Sequence, residues 1–493
     1  MIFRDLRDFL KTLDEMGELK VVKNADWNLE LGAISELVAR GHGPALLFDE
    51  IRDYPPGYRV AALLLNTVRR SCISLGMPPD LHPLEAIKRW RKRMSEMKPL
   101  PPVEVESGPI LENRLTEDHV DLTKLPAPKW HEQDGGRYLG TGSSVITKDP
   151  ESGYINVGTY RMQIHDRRTL GVDLAPGRHG RLIMEKYHRE GKPCPVAAVF
   201  GAEPALFIAS FYSAPWQQSE YDLAGAIRGA PVEVIRGEHT GLPIPARAEV
   251  AIEGEILSPE VESRLEGPFG EYTGYYTGQS PLVIRVKSLL FRNEPIIFGV
   301  PPLNPTYGAQ SMALPLKTVP EVWNSLEASG IPGVVGVWEL PVASRMMMVV
   351  AIKQLYAGHS RQAGLAVAAA RASGFAGRFI IIVDDDVDPT DMGQVLWAVA
   401  TRCDPESAMD IIKGCWSGGI DPLIPPEKRE RKDFRMSRAI LDACRPYYWK
   451  DRFPKVNRIS EELAQTTLEK WREFFAEIGL LEKPRGETWL PLS

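Results

Sequence analysis

Near the start of the chain Phe3, Leu6, Phe9, Leu10 and Leu13 recur at helical spacing, and the pattern stops at Gly17. The spacing predicts a helix over "FRDLRDFLKTLDEMG". A strand-like "ELKVV", a second helix "AISELVARG" and an apolar "ALLF" follow, which together make a small α/β unit. A further helix around Leu84–Met97 runs into "KPLPPVEVESGP", Lys98–Pro109, whose prolines read as a linker. From about Leu122 to Val300 the period shortens. "SSVITKD", "YINVGTYRMQIH", "VAAVFG", "ALFIASFY", "PVEVIRG", "AEVAIEGEI", "PLVIRVKSLLF" and "PIIFGV" are β-rich runs between Gly, Pro and Asp turns. They predict a barrel or sandwich-like middle domain, interrupted by one helix, "LIMEKYHREG". After Pro315 helices and strands alternate again: "PEVWNSLEASG", "RMMMVVAI", "QAGLAVAAARASG", "RFIIIVDDD" and "MGQVLWAVATR". This predicts an α/β domain with parallel strands. An amphipathic helix from near Ser460 carries Leu468, Trp471, Phe475 and Ile478 on one side.

A chain of 493 residues is too long for one ordinary domain. Its 43% hydrophobic and 25% charged residues suit a globular protein with a sizeable core. A net charge of −6 and the lack of a large basic block argue against nucleic acid as a partner. "KRWRKR", Lys88–Arg93, reads as the solvated face of a helix. Five scattered cysteines without a C-x-x-C pair suggest neither a disulfide framework nor a zinc ribbon. The charged "MIFRDLRDFLK" does not read as a signal peptide, and no apolar run reaches the roughly 18 residues of a membrane span. The expectation is a cytoplasmic protein with no membrane partner.

Most familiar motifs are missing. There is no G-x-G-x-x-G after a strand, no P-loop and no G-x-S-x-G. "GTGSS", Gly140–Ser144, lacks a phosphate-binding lysine and reads as a turn. The acids of "IIIVDDDVDP" read as the polar mouth of a parallel sheet, with a magnesium site as the other reading. His179 and His359 sit in glycine-flanked turns, where a lone histidine is more often a hydrogen-bonding residue than a ligand. "EGPFGEYTGYY", Glu266–Tyr276, is more constrained. Two carboxylates flank a Gly-Pro-Phe-Gly turn, in which Pro268 has no N–H for a sheet ladder. A surface turn with solvated acids is the bland reading.

Taken in order, "DLTKLPAPKWHEQDGGRY", "INVGTYRMQ", "VDLAPGRHG", "QQSEYDLAGAIRG", "EGPFGEYTGYY", "KQLYAGHSRQAG" and "FIIIVDDDVDP…WAVATRCDP" resemble the UbiD family of reversible decarboxylases that use prenylated FMN. The resemblance runs from about residue 3 to about residue 450. It implies an α/β (α+β) fold in three parts: a mixed α/β part with linker at 1–110, a split β-barrel flavin-binding domain at 111–315, and an α/β oligomerisation domain with a terminal helix at 316–493. It also implies a Glu-Arg-Glu network of Glu266, Arg161 and Glu271, with Glu271 as proton donor. Asn156, His179 and Glu220 match positions that hold Mn²⁺ or Mg²⁺ against the cofactor phosphate. Thr159, Tyr160 and Arg178 would flank the flavin or its phosphate, and Ala209, Ser210 and Tyr212 match a potassium site. Tyr307, Met312 and Trp416 are placed at the substrate pocket. The implied partners are a carboxylic acid and CO₂, a flavin prenyltransferase that supplies the cofactor, and further copies of the chain in a dimer or larger even assembly. The lack of charge in "PPLNPTYGAQSMA" favours an aromatic or heteroaromatic monocarboxylic acid. Alternatives are a flavin carrier or redox protein on the same scaffold, or a decarboxylase of an acrylic-type acid.

Overall fold

The computed structural model describes residues 3–479, apart from 213, 279, 308–314 and 375–376. The chain forms two compact units. One takes in the chain up to Pro320 with Pro341–Ser344 and Gly418–Phe434; the other takes in Glu321–Leu340, Arg345–Ser417 and the chain from Arg435.

The first unit begins as its periodicity predicts. Helix Leu6–Glu15 is capped by Asp5, whose carboxylate accepts from the Asp8 N–H, and it buries Leu6, Phe9, Leu10 and Leu13. Strands Leu19–Lys23, Ala45–Asp49 and Arg59–Ala62 make a small sheet, with helix Glu30–Arg40 between the first two. The fourth strand of this sheet comes from far along the chain: Ile296–Gly299, expected in the middle domain, pairs parallel with Arg59–Ala62. The expected linker is also partly structured. Val103–Glu104 pairs with Glu233–Arg236, because extended Pro-rich backbone still offers its N–H and C=O groups to a neighbour.

Among the described residues the middle of the chain builds a nine-stranded antiparallel sheet. Its order is Arg137–Gly140, Met162–Ile164, Thr169–Val172, Val283–Phe291, Val250–Ile256, Cys194–Phe200, Ser143–Lys148 and Ile155–Gly158, with Asn113–Thr116 branching from Val283–Phe291. The connection from Ile155–Gly158 to Met162–Ile164 shows that this sheet is curled. These strands hold the eighth and second places in the order. In a flat sheet six spacings of about 4.8 Å would separate them by about 29 Å. The four steps from Gly158 to Met162 reach about 14 Å. The sheet therefore bends until its two ends meet at residues 159–161, giving a half-barrel in place of the expected split β-barrel.

Among the described residues three helices, rather than one, decorate this sheet: His179–Arg189, Pro204–Ser210 and Glu220–Arg228. "ALFIASFY", expected as a strand, is the second of them. All seven residues of Pro204–Ser210 are buried, so no polar face betrays the helical period, and Pro204 takes a first-turn position where its missing N–H costs nothing.

The second unit carries a five-stranded sheet in the order Val334–Glu339, Met347–Ile352, Phe379–Asp384, Arg435–Ala443 and Met409–Trp416. Its three central strands are parallel, as expected, and both edges are antiparallel. The acids after "FIIIV" serve structure. Buried Asp384 bonds Gln354, Arg402 and Arg445, while Asp386 takes a two-nitrogen grip from Arg402. The terminal amphipathic helix is broken in two, Glu461–Lys470 and Arg472–Glu477, at Trp471 with φ −110°. Trp471, Phe474 and Ile478 are exposed.

Candidate active site

Residues 159–161, where the sheet ends meet, lie between two strands whose hydrogen bonding fixes their direction. Arg161 leaves this segment as a side chain that is nine-tenths buried, and it is met by both acids of the Gly-Pro turn. Its Nε donates to Glu266 Oε1 at 2.7 Å and its Nη2 to Glu266 Oε2 at 3.0 Å, a bidentate grip. Its Nη1 donates to Glu271 Oε1 at 2.5 Å. Thr277 Oγ1 donates to that same carboxylate oxygen at 3.0 Å. The sequence expectation that Glu266, Arg161 and Glu271 come together is met in the geometry.

The turn holding the two acids is fixed from three sides. Glu266 and Ser280 exchange backbone hydrogen bonds, and Phe269–Gly270 pairs with Tyr276–Thr277. Gln163 Oε1 accepts from the Gly267 N–H at 2.8 Å, while its Nε2 donates to the Gly135 carbonyl at 2.9 Å. Gly135 in turn donates its N–H to the Pro268 carbonyl at 2.8 Å. Position 135 must be glycine for this: a Cβ there would fall 2.1 Å from the Gly267 oxygen. Gly267 itself has φ +98°, and the Gly267–Pro268 peptide is cis.

Burial sets the charges of the site. Glu266 has no exposed side-chain surface and Glu271 keeps 19%. Burial pushes both carboxyls above the usual range, and Arg161 opposes it in each case. Burial also works against the Arg161 charge, yet the bonds to Glu266 hold this group above its ordinary value. Sequence reasoning missed four contributors: Gln163, Thr277, Tyr138, whose hydroxyl donates to the Pro268 carbonyl at 3.3 Å, and Asp173, 3.4 Å from Arg161 Nη2. Thr277 carried the nearest thing to a signal: the hairpin sets it opposite Phe269, two residues before Glu271, within side-chain reach of that acid.

The residues expected to hold a metal are tied to the strand before this segment and to the helices beside it. Asn156 is buried in strand Ile155–Gly158, and the adjoining Val157 N–H donates to Glu220 Oε2 at 2.7 Å. Glu220 opens helix Glu220–Arg228 and is buried; desolvation pushes its carboxyl up to about 7. Among the described residues no lysine or arginine pairs with it, so a cation would relieve the burial. His179 opens helix His179–Arg189, and its Nδ1 lies 3.3 Å from the Tyr154 hydroxyl. Tyr160 ties this helix to the same segment by accepting the Gly180 N–H at 3.1 Å. An amide oxygen, an imidazole and a carboxylate suit a hard to intermediate divalent ion. Among the described residues no cluster of three His, Cys, Asp or Glu offers a metal site.

Thr159 bonds the helix Pro204–Ser210, its N–H to the Ser210 carbonyl at 3.1 Å and its Oγ1 against Ser210 Oγ at 2.6 Å. Ala209, Ser210 and Tyr212 therefore gather beside Thr159, with the Tyr212 N–H on the Ala209 carbonyl. Arg178 is the exposed N-cap of the His179 helix. The pocket expectations are less served. Met312 lies outside the described residues, and of Tyr307 only the backbone, in a 3₁₀ turn, is described. Trp416 ends strand Met409–Trp416 in the second unit with half its surface exposed, and its carbonyl accepts from Arg438.

A curled antiparallel sheet presents an arginine gripped by two carboxyls that burial raises, an arrangement suited to acid–base chemistry. Family models described as the 3-octaprenyl-4-hydroxybenzoate carboxy-lyase N-terminal, Rift-related and C-terminal domains match residues 10–90, 102–305 and 316–443. The chain belongs to this UbiD family of carboxy-lyases. It is 36% identical to a pyrrole-2-carboxylic acid decarboxylase of Pseudomonas aeruginosa over 423 residues, 81% of this chain and 83% of the relative. It is 31% identical to a phenolic acid decarboxylase of Bacillus subtilis over 459 residues, 90% of this chain and 93% of the relative. An evolved dimeric form of the UbiD-class enzyme HmfF from Pelotomaculum thermopropionicum, solved with prFMN, superposes with a TM-score of 0.78 at 26% identity. That match covers 93% of this chain and 97% of the other.

Proposed function

We propose that this protein is a prenylated-FMN-dependent decarboxylase of aromatic or heteroaromatic monocarboxylic acids, working reversibly. The observation that carries the reading is the grip of one guanidinium on two acids, one buried and one half-buried, across a clamped turn. Relatives that act on pyrrole-2-carboxylic and phenolic acids support the substrate class. When bound, the prenylated flavin supplies the electron sink that the side chains lack. Arg161 orients both acids and offers its charge to an incoming carboxylate. The bond from the ring carbon to the carboxyl carbon breaks, CO₂ leaves, and the carbon keeps the electron pair. Glu271 gives its proton to that carbon and is reloaded from water. Glu266 fixes Arg161 and, as a neighbouring carboxylate, favours a protonated Glu271.

Asn156, His179 and Glu220 would hold Mn²⁺ or Mg²⁺ against the cofactor phosphate, with Thr159, Tyr160 and Arg178 around the flavin and K⁺ at Ala209, Ser210 and Tyr212. The buried, cation-free carboxylate of Glu220 supports this reading. Tyr307, Met312 and Trp416 stand for the substrate pocket. The same proposal includes the three-part division at 1–110, 111–315 and 316–493, a prenyltransferase as cofactor supplier, and a cytoplasmic setting, which five unpaired cysteines suit. It also includes a homodimer or larger even assembly, favoured by the exposed Trp471, Phe474 and Ile478. A monomer by light scattering at micromolar concentration would count against that last part. The function is tested by co-expression with a flavin prenyltransferase and a carboxylic-acid panel scored by proton–deuterium exchange. Exchange into an aromatic monoacid's product, and weaker exchange with the diacid analogue, is expected; no exchange with any acid refutes the reading.

A further inference from the structure

Arg161 has five N–H donors, and the structure commits all of them. Nε and Nη2 serve the two oxygens of Glu266, Nη2 also serves the Gly278 carbonyl, and Nη1 serves Glu271 and, at 3.5 Å, Thr277. Asp173 Oδ2 lies 3.4 Å from Nη2 with no donor left for it. Its contribution is charge. The location is built rather than incidental, because the Asp173 N–H donates to the Arg161 carbonyl at 3.2 Å and ties the two residues back to back.

One guanidinium facing three carboxylates would leave two uncompensated negative charges in a mostly buried space, so one acid must keep a proton. Asp173 retains 34% of its side-chain exposure, and water can solvate its charge. Glu266 is buried, but two charge-assisted bonds match both of its oxygens. Glu271 receives both of its bonds, from Arg161 and Thr277, on Oε1, which leaves Oε2 to carry a proton. We propose that Asp173 is a positioning residue for proton transfer: its charge, held against Arg161, keeps the proton on Glu271. This rests on Glu271 being the donor.

The surrounding groups do not replace it. Tyr138 faces Glu266 and Asp134 faces the Gly270 backbone, and burial raises both. A Cβ at Gly171 would meet both His165 Nε2, at 2.5 Å, and the Glu266 stem, so His165 stands beside Glu266; burial holds it below its usual range, which disfavours a cation there. Arg264 is spent on Asp166 and Glu262. Asp173 and Glu266 both act to raise Glu271 further.

The test is Asp173→Asn in the full chain, with glutamates carrying carboxyl-¹³C. The infrared band of protonated Glu271, assigned by its loss in Glu271→Gln, is followed against pH. Its midpoint should fall by about one unit or more, and the alkaline limb of the exchange rate should move down by the same amount. Asp173→Glu, which keeps the charge, should restore both. An unchanged midpoint in Asp173→Asn overturns the proposal even if the rate falls. The infrared measurement needs no turnover, so it still decides if no acid proves to be a substrate.

Discussion

Glu271→Gln should make the protein more stable and less active, and the opposition of those two effects is the signature of a protonated acid. The amide keeps the carbonyl oxygen that accepts from Arg161 at 2.5 Å and from Thr277 at 3.0 Å, so no bond in the structure is lost. What changes is titration. Glu271 sits above the usual carboxyl range in the folded protein, because burial outweighs Arg161. The unfolded chain releases this proton near the ordinary glutamate value of about 4.3. Between that value and the folded one, the folded state holds a proton that the unfolded state lacks. Stability of the natural protein therefore falls as pH rises through this window, by about 1.4 kcal/mol per unit for one proton. The amide has no such slope. Relative to the natural protein, the variant should gain about that amount per pH unit up to the folded value and level off above it. Proton–deuterium exchange should drop by about two to four orders of magnitude, the usual worth of a general acid.

Glu266→Gln shares that pH slope relative to the natural protein, because burial raises this carboxyl too, and the contrast lies in the bond it loses. Glu266 has no exposed side-chain surface and takes two bonds from Arg161. An amide can accept one of them and turns an N–H toward the other nitrogen. Breaking one side of a buried pair costs about 3–5 kcal/mol; with Asp173 and Glu271 still near Arg161, about 2 kcal/mol is expected. Urea unfolding of the three proteins at pH 5, 6 and 7, with exchange rates on the same samples, separates the cases. A loss of about 2 kcal/mol or more in Glu271→Gln at all three values would mean that Glu271 is ionised and paired in the fold. Exchange near the natural rate would mean that it is not the acid. Either result refutes the reasoning.

Gly135→Ala puts a methyl group where the Gly267 carbonyl stands, so the turn must shift; a loss of about 1–3 kcal/mol by urea unfolding and of most exchange activity is expected. Glu220→Ala should abolish retention of divalent metal and modified flavin on purification, measured by elemental analysis and absorbance, while the circular dichroism spectrum persists; full cofactor occupancy would remove Glu220 from the metal set. In the second unit, Arg402→Met removes both bonds to Asp386, leaving it the longer approach of Arg445 at 4.0 Å, and weakens the cage of Asp384, which keeps Arg445. A loss of about 3 kcal/mol in that unit's unfolding step is expected, with exchange activity per folded molecule unchanged.

The elements that could be read from the chain are those with one wet and one dry face. Leu6–Glu15 alternates at helical period because its other side meets water, and the predicted core positions Leu6, Phe9, Leu10 and Leu13 are the buried ones. Pro204–Ser210 has no wet face, so its sequence carries no period, and its β-rich look misleads. Ile296–Gly299 reads correctly as a strand, yet nothing local says that it pairs with Arg59–Ala62, more than two hundred residues earlier. Pairing partners are a property of topology, and a fully buried apolar strand offers no pattern that prefers one neighbour.

The site divides along the same line. Glu266 and Glu271 could be found because their turn is spelled out by Gly, Pro, Phe and Gly, residues chosen for backbone geometry, and geometry of that kind leaves a local trace. Arg161, more than a hundred residues away, is identifiable in sequence only through the family pattern. The structure supplies the physical reason for its position: residues 159–161 are the short bridge where the curled sheet meets itself, so whatever stands there faces what the far strands bring. Asp173 is the limiting case. It follows the strand Thr169–Val172 in an ordinary-looking "VDLAP", bonds Arg161 through its backbone and influences it through charge alone. A residue that acts through a field needs no particular spacing and no matched donor. Such residues leave no motif, and they become visible only once the arginine's five donors can be counted.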